Sequence, residues 1–524
     1  MTRGTQPDLW RAVGLAAFSG AMTALCYPKP GLCLLAWVSL APLFGVWFRC
    51  ASWKGAFVAG LAAGAGFHGV LLHWIYQTCL FAGMGHLLAV LSLVSLALFL
   101  GFNWGLIGIL GRWLAPGPLA GPWVWAAVWT SVTAASAWWT PRLSVDILSY
   151  TQYKFPALIQ IGALAGPHAL GFLVLAANVV LRDAWEVERR AAANVAAVLA
   201  LVAGVWAYGT YELTRREEFL RGTANANQST LAVPGAEGAR DARVELIQPA
   251  IDQYRKWDSR FESEIKGVYE DLLSRPRSRP PDLVVWPESA LPWMVADGTE
   301  PPLVSDWARK LGVPQFVGVV SQGKDGGRRC SILLVGPDGR VLGSYHKRQL
   351  VPFGEWVPLR FLGDYIGILN QMGDMTPGPA RQELLKTPLG ATAASICYEA
   401  TFPRWVRADV GRGATVVINV TNDGWYKDTW GPYLHFGSNF FRAIENRVTV
   451  VRCGNTGISG VIDPWGFVTA SLALNERGRL DADVPRADPF PRRSPFARLG
   501  DWFGACCAAL VLVLSGARLA SRRA

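Results

Sequence analysis

The first 211 residues of the sequence are dominated by a series of apolar runs. Each run is long enough for a helix that crosses the bilayer core of about 30 Å, which takes about 20 residues. Gly, Ala and Trp are frequent within them, as is typical of closely packed membrane helices. The runs, with an eighth near the end of the chain, cover residues 9–26, 32–48, 55–77, 86–110, 118–140, 157–181, 191–211 and 501–517. We therefore predict a helical membrane domain with about eight transmembrane helices.

A different pattern lies between the seventh and eighth runs. Residues 241–480 alternate short β-rich segments with helical stretches, which is typical of a soluble α/β domain. The strand-like segments include 244–247, 283–286, 316–320, 394–396 and 416–419. Residues 331–335 and 340–343 flank Gly336-Pro337-Asp338-Gly339 and predict a hairpin, and residues 433–447 predict an amphipathic helix.

The changes of pattern predict four parts of the chain. The small polar residues near 221–240 indicate a flexible tether. The parts are a transmembrane domain at 1–211, a tether at 212–240, an α/β domain at 241–485, and a final transmembrane helix with its tail at 486–524.

The basic residues in the short connections indicate orientation, because positive charge is retained on the cytoplasmic side. Most of them fall on one side of the eight-helix arrangement, whereas Lys29, Arg142 and Lys154 fall on the other. The first set comprises Arg3, Arg11, Arg49, Lys54, Arg112, Arg182, Arg189, Arg190, Arg518, Arg522 and Arg523. We expect both termini in the cytoplasm and the α/β domain outside it.

The composition agrees with a membrane protein, since 51% of the residues are hydrophobic and 17% charged. The net charge of +11 does not indicate nucleic-acid binding, because the arginines lie between apolar runs rather than in one basic stripe. The nine cysteines form no CxxC pair, so neither a zinc site nor a disulfide framework is predicted. We expect Cys330 and Cys453 to be free thiols.

Polar side chains inside the predicted spans are expected to face the protein interior. They are His68, His73, Asn103 and His168. The sequence assigns no role to any of them.

Three segments of the α/β domain place a reactive side chain at the end of a predicted strand. Glu288, in Trp286-Pro287-Glu288-Ser289, would be partly desolvated and would then act as a base, although a solvated loop glutamate is an alternative. Lys347 lies near aromatic residues and would stabilise an oxyanion, with Glu355 holding the ammonium in place. An exposed basic turn is the alternative for Lys347.

The third segment ends an apolar run with Cys397 and continues into a segment that can start a helix. The N-terminal end of a helix favours a thiolate, so Cys397 is a candidate nucleophile. The alternative is a buried cysteine that acts as a small hydrophobic side chain.

Together the three segments resemble the nitrilase superfamily, whose Glu–Lys–Cys triad occurs in this order on a four-layer α/β/β/α sandwich. The flanking membrane spans and the segments WPES, HKRQLVPFGEWVP and CYEATFP look like the apolipoprotein N-acyltransferase family within it. Residues 421–426 and 452–457 also fit this family, so the resemblance covers nearly the whole chain. It implies Glu288, Lys347 and Cys397 as the catalytic residues.

The resemblance also implies an activity. A phospholipid, typically phosphatidylethanolamine, would donate an acyl chain to Cys397 as a thioester, with Glu288 as base and Lys347 and a backbone N–H near Tyr398 stabilising the oxyanion. The acceptor would be the N-terminal α-amine of a diacylglyceryl-cysteine apolipoprotein. The enzyme would lie in the bacterial inner membrane with its catalytic domain on the periplasmic side. No metal, cofactor or nucleic acid is expected.

Supporting roles are expected for three further residues. Glu355 would orient Lys347, Glu399 would form hydrogen bonds near the nucleophile, and Trp425 would line the acyl path. A purely structural role is the alternative for each of them. The apolar segment 359–369, with Met372 and Met375, is expected to be a lid that touches the bilayer, or else a buried helix.

Two other functions are compatible with parts of the sequence. A membrane-tethered amidase of the same superfamily would use water as the acceptor, but the predicted eight spans exceed what an anchor needs. A transporter or lipid-binding scaffold would not require the three reactive residues, and the spans lack the charged pairs of an ion-coupled carrier.

Overall fold

The structure is a computed structural model that describes residues 9–114, 120–136, 144–185, 191–230, 241–357, 374–486 and 493–522. The chain divides into two compact units. The first comprises Met1–Leu213, Thr429–Gly437 and Leu499–Ala524. The second comprises Thr214–Asp428 and Ser438–Arg498.

The first unit is built from helices. They are α1 (Leu9–Ala24), α2 (Ala41–Arg49), α3 (Trp53–Leu71), α4 (Trp74–Phe81), α5 (His86–Leu114), α6 (Gly121–Ser136), α7 (Pro156–Ile159), α8 (Gly162–Ala165), α9 (His168–Trp185), α10 (Ala191–Thr230, which belongs to the second unit from Thr214 on) and, at the end of the chain, α16 (Trp502–Ser521). Glycines allow close packing of the first long helices. A Cβ on Gly20 would lie 1.9 Å from the Ala63 carbonyl oxygen, and one on Gly60 would lie 2.2 Å from that of Trp104. Small residues at such contacts are typical of membrane helices.

Three described helices are apolar and long enough to cross a membrane, namely His86–Leu114, Ala192–Gly222 and Trp502–Ser521. The number rises to five if two bent pairs, Trp53–Leu71 with Trp74–Phe81 and Pro156–Ala165 with His168–Ala184, each count as one span. The predicted eight spans are therefore not confirmed within the described residues. The apolar run at 32–48, for example, folds as a short 3₁₀ helix followed by the short helix α2.

The polar residues of this unit make specific contacts. His68 is buried, with Nδ1 2.8 Å from the Gly64 carbonyl oxygen and Nε2 3.4 Å from Asp146 Oδ2. His168 Nε2 lies 3.5 Å from Asp501 Oδ2, and His73 packs its ring against Trp430. His68, Asn103 and His168 are buried, which confirms that these side chains face the protein interior, whereas His73 is half-buried.

The second unit contains two β-sheets and the helices α11 (Glu262–Ser274), α12 (Pro302–Leu311), α13 (Pro403–Gly411), α14 (Gly431–Asn446, whose first residues belong to the helical unit) and α15 (Pro495–Leu499). The strands are β1 (Ala242–Gln248), β2 (Leu283–Val285), β3 (Met294–Ala296), β4 (Gln315–Gln322), β5 (Arg328–Val335), β6 (Val341–His346), β7 (Leu385–Thr387), β8 (Gly390–Ile396), β9 (Val416–Thr421), β10 (Thr449–Gly454), β11 (Ser459–Ile462), β12 (Val468–Leu472) and β13 (Gly478–Val484).

The order of the first sheet is β13-β1-β2-β4-β5-β6, with β3 also paired to β4, and that of the second is β12-β11-β10-β9-β8-β7. Strands β1, β2 and β4 run parallel, as do β8, β9 and β10. The sheets face each other, with β1 opposite β10, β4 opposite β9 and β5 opposite β8. Central strands such as β9 and β10 are buried along their whole length, as expected for strands covered on both faces.

Helices cover the outer faces of both sheets. The apolar sides of α11 and α12 pack on the first sheet, where Tyr269 stacks on the fully buried Trp286 with ring centroids 4.7 Å apart. Helix α13 packs on β8 of the second sheet. The helix–sheet–sheet–helix layering confirms the predicted sandwich.

The predicted strands, the hairpin of β5 and β6, and the helix near 433–447 are all present. The predicted tether differs from the structure, because α10 continues as one helix to Thr230. Residues 212–222 include Glu, Leu and Arg, which favour a helix. Residues 231–240 and the predicted lid at 359–369, with Met372, lie outside the described residues.

Candidate active site

The three predicted catalytic residues follow three different strands of the sandwich. Glu288 comes shortly after β2, Lys347 directly after β6 and Cys397 directly after β8. The structure brings Glu288 and Lys347 into contact, with Nζ 3.3 Å from Glu288 Oε1. Cys397 is close enough that the charges of both residues act on its thiol. All three are buried, so the folded chain forms one enclosed reactive cluster.

The backbone around Glu288 arches over a glycine in β4. Trp286 donates its N–H to the Phe316 carbonyl oxygen, and Ala290 donates to that of Gly318, so Pro287–Ser289 leave the sheet between these two bonds. A Cβ on Gly318 would lie 2.5 Å from the Pro287 carbonyl oxygen and 2.7 Å from Glu288 Cα. Because Gly318 has no Cβ, the backbone of Glu288 can approach β4 this closely.

We expect Gly318→Ala to displace Glu288 and to destabilise the domain by about 1–3 kcal/mol, as overpacking a well-packed site does. Thermal unfolding and the rate at which iodoacetamide alkylates Cys397 measure the two effects. Gly267→Ala is the matched control, because a Cβ there meets nothing within 4 Å and the position lies inside α11. Equal behaviour of the two variants would contradict the role of Gly318.

Lys347 lies between two carboxylates. Its Nζ is 2.5 Å from Glu355 Oε1 and 3.3 Å from Glu288 Oε1, and only 1% of the side chain is exposed. Burial opposes the charged ammonium, but the two carboxylates outweigh it and hold the pKa of Lys347 well above its usual value. Lys347 is therefore a fixed positive charge.

Cys397 is held in an unusual backbone conformation. Its φ of +50° lies in the left-handed region, which costs a non-glycine residue about 1–3 kcal/mol, and a 3₁₀ turn follows at Cys397–Thr401. Burial and then the negative charge of Glu288 raise the pKa of the Cys397 thiol, while Lys347 opposes this rise. The resting residue is consequently a thiol, and a nucleophilic role requires a base to take its proton.

Glu399 joins the segments that carry Lys347 and Cys397. One oxygen of its buried carboxylate accepts the N–H groups of Arg348 (2.5 Å) and Gln349 (3.0 Å). The other accepts the N–H of Ile396 (2.9 Å) and the hydroxyl of Tyr345 (2.8 Å). This single side chain sets the position of both segments, in agreement with hydrogen bonding near the nucleophile.

A further buried charge pair lies below the ends of β9 and β10. Arg452 donates to Asp423 Oδ2 (2.8 Å) and Asn419 Oδ1 (2.7 Å), and Thr421 donates its hydroxyl to Asp423 Oδ1 (3.1 Å). Thr421 in turn interacts with the Cys397 thiol. The motif residues at 421–423 and 452 thus support the floor of the site.

The remaining predicted residues differ in their surroundings. Tyr398 is buried at the start of the turn after Cys397, whereas Trp425 is 42% exposed. Glu355 contacts Lys347 as expected and also accepts the Val351 N–H. Cys330 and Cys453 are free buried thiols, as predicted.

Two contacts of Glu288 were not predicted. The backbone N–H of Asn422 donates to Glu288 Oε2 (2.9 Å), and Lys256 Nζ donates to the Glu288 carbonyl oxygen (3.0 Å). Both partners are distant in sequence, and a backbone N–H leaves no signal in the residue pattern. The one available signal for Lys256 is a lysine between the aromatic residues Tyr254 and Trp257.

Glu288, Cys330 and Glu355 offer ligand atoms within 4.8 Å of one another, a spacing that would suit a metal ion. The ammonium of Lys347 lies against both carboxylates, however. Lys347 therefore supplies a positive charge beside the two carboxylates.

The fold and the cluster define a carbon–nitrogen hydrolase domain, here in a chain with apolar helices. Residues 241–489 match the family described as carbon-nitrogen hydrolase, and residues 19–180 match the apolipoprotein N-acyltransferase N-terminal domain. Among solved structures, the carbon-nitrogen hydrolase from Helicobacter pylori is 18% identical and covers 48% of this chain and 91% of its own, with a TM-score of 0.36.

Relatives match over almost the full length. The apolipoprotein N-acyltransferase of Geobacter metallireducens is 34% identical over 97% of this chain and 95% of its own. That of Azotobacter vinelandii is 31% identical over 99% of this chain and 97% of its own. The chain belongs to the apolipoprotein N-acyltransferase family.

Proposed function

We propose that this protein transfers an acyl chain from a phospholipid, typically phosphatidylethanolamine, to the N-terminal α-amine of diacylglyceryl-cysteine apolipoproteins. The transfer proceeds through a thioester on Cys397. The observation that carries this proposal is the enclosed cluster of Glu288, Lys347 and Cys397, in which Lys347 contacts Glu288 and burial raises the pKa of the Cys397 thiol.

In the first half-reaction Glu288 takes the proton of the Cys397 thiol, and the sulfur attacks the ester carbonyl of the phospholipid. The carbonyl oxygen becomes an oxyanion, which Lys347 and the backbone N–H of Tyr398 stabilise. Collapse of this intermediate breaks the ester C–O bond. The lysophospholipid alkoxide leaves with the proton from Glu288, and the acyl chain remains on Cys397.

In the second half-reaction the α-amine of the acceptor attacks the thioester. Glu288 removes the proton of the amine, and Lys347 again stabilises the oxyanion. The C–S bond then breaks, Glu288 gives its proton to the sulfur, and the amide and the Cys397 thiol result. Since the donor product leaves before the acceptor reacts, the kinetics are ping-pong. Fixed donors require no reorganisation in either step, so the same cluster serves both reactions.

Exposed aromatic side chains support a lipid donor. Phe353 and Trp356 lie in the segment after Lys347, Trp425 lies beyond β9, and Trp257 lies in the loop before α11. All four side chains are exposed. Apolar groups on segments that carry or contact the reactive residues suit an acyl chain better than a small hydrophilic amide.

The apolar helices and the distribution of basic residues support a location in the bacterial inner membrane. We place the chain there with about eight spans, both termini in the cytoplasm and the catalytic domain at 241–485 on the periplasmic side. The excess of Arg and Lys in the connections assigned to the cytoplasm supports this orientation. In this arrangement Trp425 lines the acyl path.

The experiment that tests the proposal is intact-protein mass spectrometry of the detergent-purified chain incubated with phosphatidylethanolamine. We expect a mass gain of one acyl group, which is lost on adding a diacylglyceryl-cysteine peptide and reappears on that peptide. Loss of the adduct to water at the same rate without the peptide would favour the amidase alternative. A folded chain that gains no acyl group would contradict the transferase.

A further inference from the structure

Lys256 is a second buried lysine beside Glu288, and the mechanism above does not use it. It lies in the loop between β1 and α11, where its neighbours Tyr254 and Trp257 are exposed. Only 1% of Lys256 itself is exposed, and its Nζ donates to the backbone carbonyl oxygen of Glu288 at 3.0 Å. The loop thus directs one cation inward against the arch that carries Glu288.

A hydrogen bond to this carbonyl does not by itself require a lysine. An amide side chain would satisfy the same acceptor without the desolvation cost of a buried ammonium. The cost is visible in Lys256, since burial lowers its pKa to about 8 while the negative charge of Glu288 opposes this change. The positive charge must therefore have a counterpart nearby.

The negative charge that balances Lys256 belongs to the reactive cluster. Glu288 and Glu355 bring two negative charges into the interior, and Lys347 compensates one of them. The other buried charges near the cluster have their own partners: Asp423 pairs with Arg452, Asp409 pairs with Arg348 and Arg412, and the charge of Arg348 also acts on Glu399. Cys330 and Cys397 are thiols whose pKa values burial raises. Lys256 supplies the positive charge that makes the cluster neutral.

We propose that Lys256 is a positioning residue that fixes the Glu288 backbone through its carbonyl and balances the negative charge that the cluster needs for Glu288 to accept the Cys397 proton. This inference rests on the proposed function, in which Glu288 is the base. Proton transfer from Cys397 to Glu288 leaves the total charge of the cluster unchanged. Lys256 therefore acts equally before and after that step.

The test measures the reaction of Cys397 with iodoacetamide as a function of pH, followed by mass spectrometry of the Cys397 peptide. The sulfur bonds to the methylene carbon, iodide leaves, and Glu288 takes the thiol proton. Lys256→Gln retains a hydrogen-bond donor but removes the charge. Without the neighbouring cation Glu288 holds its proton to higher pH, so the acid limb of the rate should move up by about one pH unit.

Lys256→Met removes both the charge and the hydrogen-bond donor. We expect the same shift of the pH profile, together with a lower maximal rate of Cys397 alkylation. Arg255→Gln is the matched control, because Arg255 is adjacent in sequence but exposed and paired with Glu264, and its profile should equal that of the wild type. A wild-type profile for Lys256→Gln, or an equal loss at every pH in both Lys256 variants, would overturn the proposal.

The same preparations separate this inference from the proposed function. Glu288→Gln should remove the acid limb altogether, and a wild type without such a limb would overturn the role of Lys256. If the limb shifts as expected but phosphatidylethanolamine leaves no acyl group on Cys397, then the transferase proposal fails while the role of Lys256 stands.

Discussion

Replacing Cys397 with alanine is expected to abolish the acyl adduct and to reduce turnover by about a millionfold, the loss that follows removal of a catalytic nucleophile. Alanine leaves no atom that can hold the acyl chain, while the shape of the small buried site changes little. Intact mass after incubation with phosphatidylethanolamine and release of lysophospholipid both measure the effect. Cys397→Ser should give at most a weak adduct, because a hydroxyl is a poorer nucleophile than a thiol.

Cys453→Ala provides the matched control for this loss. Cys453 is also fully buried, but its thiol contacts the carbonyl oxygens of Ile247 and Val285 in the facing sheet, at 3.3 and 3.2 Å. The adduct should form normally in this variant. An acyl adduct that persists in folded Cys397→Ala would show that another group accepts the chain and would refute the thioester mechanism.

Replacing Lys347 with methionine is expected to lower the rate of acylation by at least about a hundred- to a thousandfold, the typical cost of one oxyanion donor. The variant also leaves Glu288 and Glu355 together without their shared ammonium. Loss of one partner from a buried ion pair typically costs about 3–5 kcal/mol, so the free energy of unfolding should fall as well. Single-turnover acylation and denaturant unfolding measure the two effects separately.

A second substitution distinguishes catalysis from stability. In Lys347→Met with Glu355→Gln, one of the two carboxylates is neutral, so the stability should recover in part while the acylation rate stays low. Lys386→Met, an exposed lysine on β7, is the control and should match the wild type. Recovery of the rate in the double variant would show that Lys347 acts only through the stability of the fold.

The clustering of the three candidate residues was predictable in part because each of them follows a predicted strand, as Cys397 follows β8. Glu288 and Cys397 follow strands that pair parallel with at least one neighbour, whereas β6, which precedes Lys347, pairs antiparallel with β5. The contacts of Asn422 and Lys256 with Glu288 were not predictable, because they depend on how distant loops fold back over the sheet. Glu399 was recognised as a hydrogen-bonding residue, but its four donors come from segments about 50 residues apart.

For the helical unit, the sequence could not predict where the apolar helices break. Hydropathy detects how much apolar sequence is present but not where a helix breaks. The run at 157–181 contains a bend of 118° between Pro156–Ala165 and His168–Ala184, next to Gly166 and Pro167. Such residues interrupt helical hydrogen bonding but change the mean hydropathy of a long apolar run only slightly. Hydropathy therefore predicts that apolar helices are present but does not give the number of spans.

The arrangement around Glu399 has a consequence for how the site can fluctuate. The Glu399 carboxylate accepts backbone N–H groups from two segments, the one after β6 and the one before Cys397. If either segment opens, the carboxylate is displaced and its hydrogen bonds to the other segment are weakened. Their opening is cooperative, as in a single unit of local unfolding. The segments that carry Lys347 and Cys397 are therefore expected to keep their relative position unless both open together.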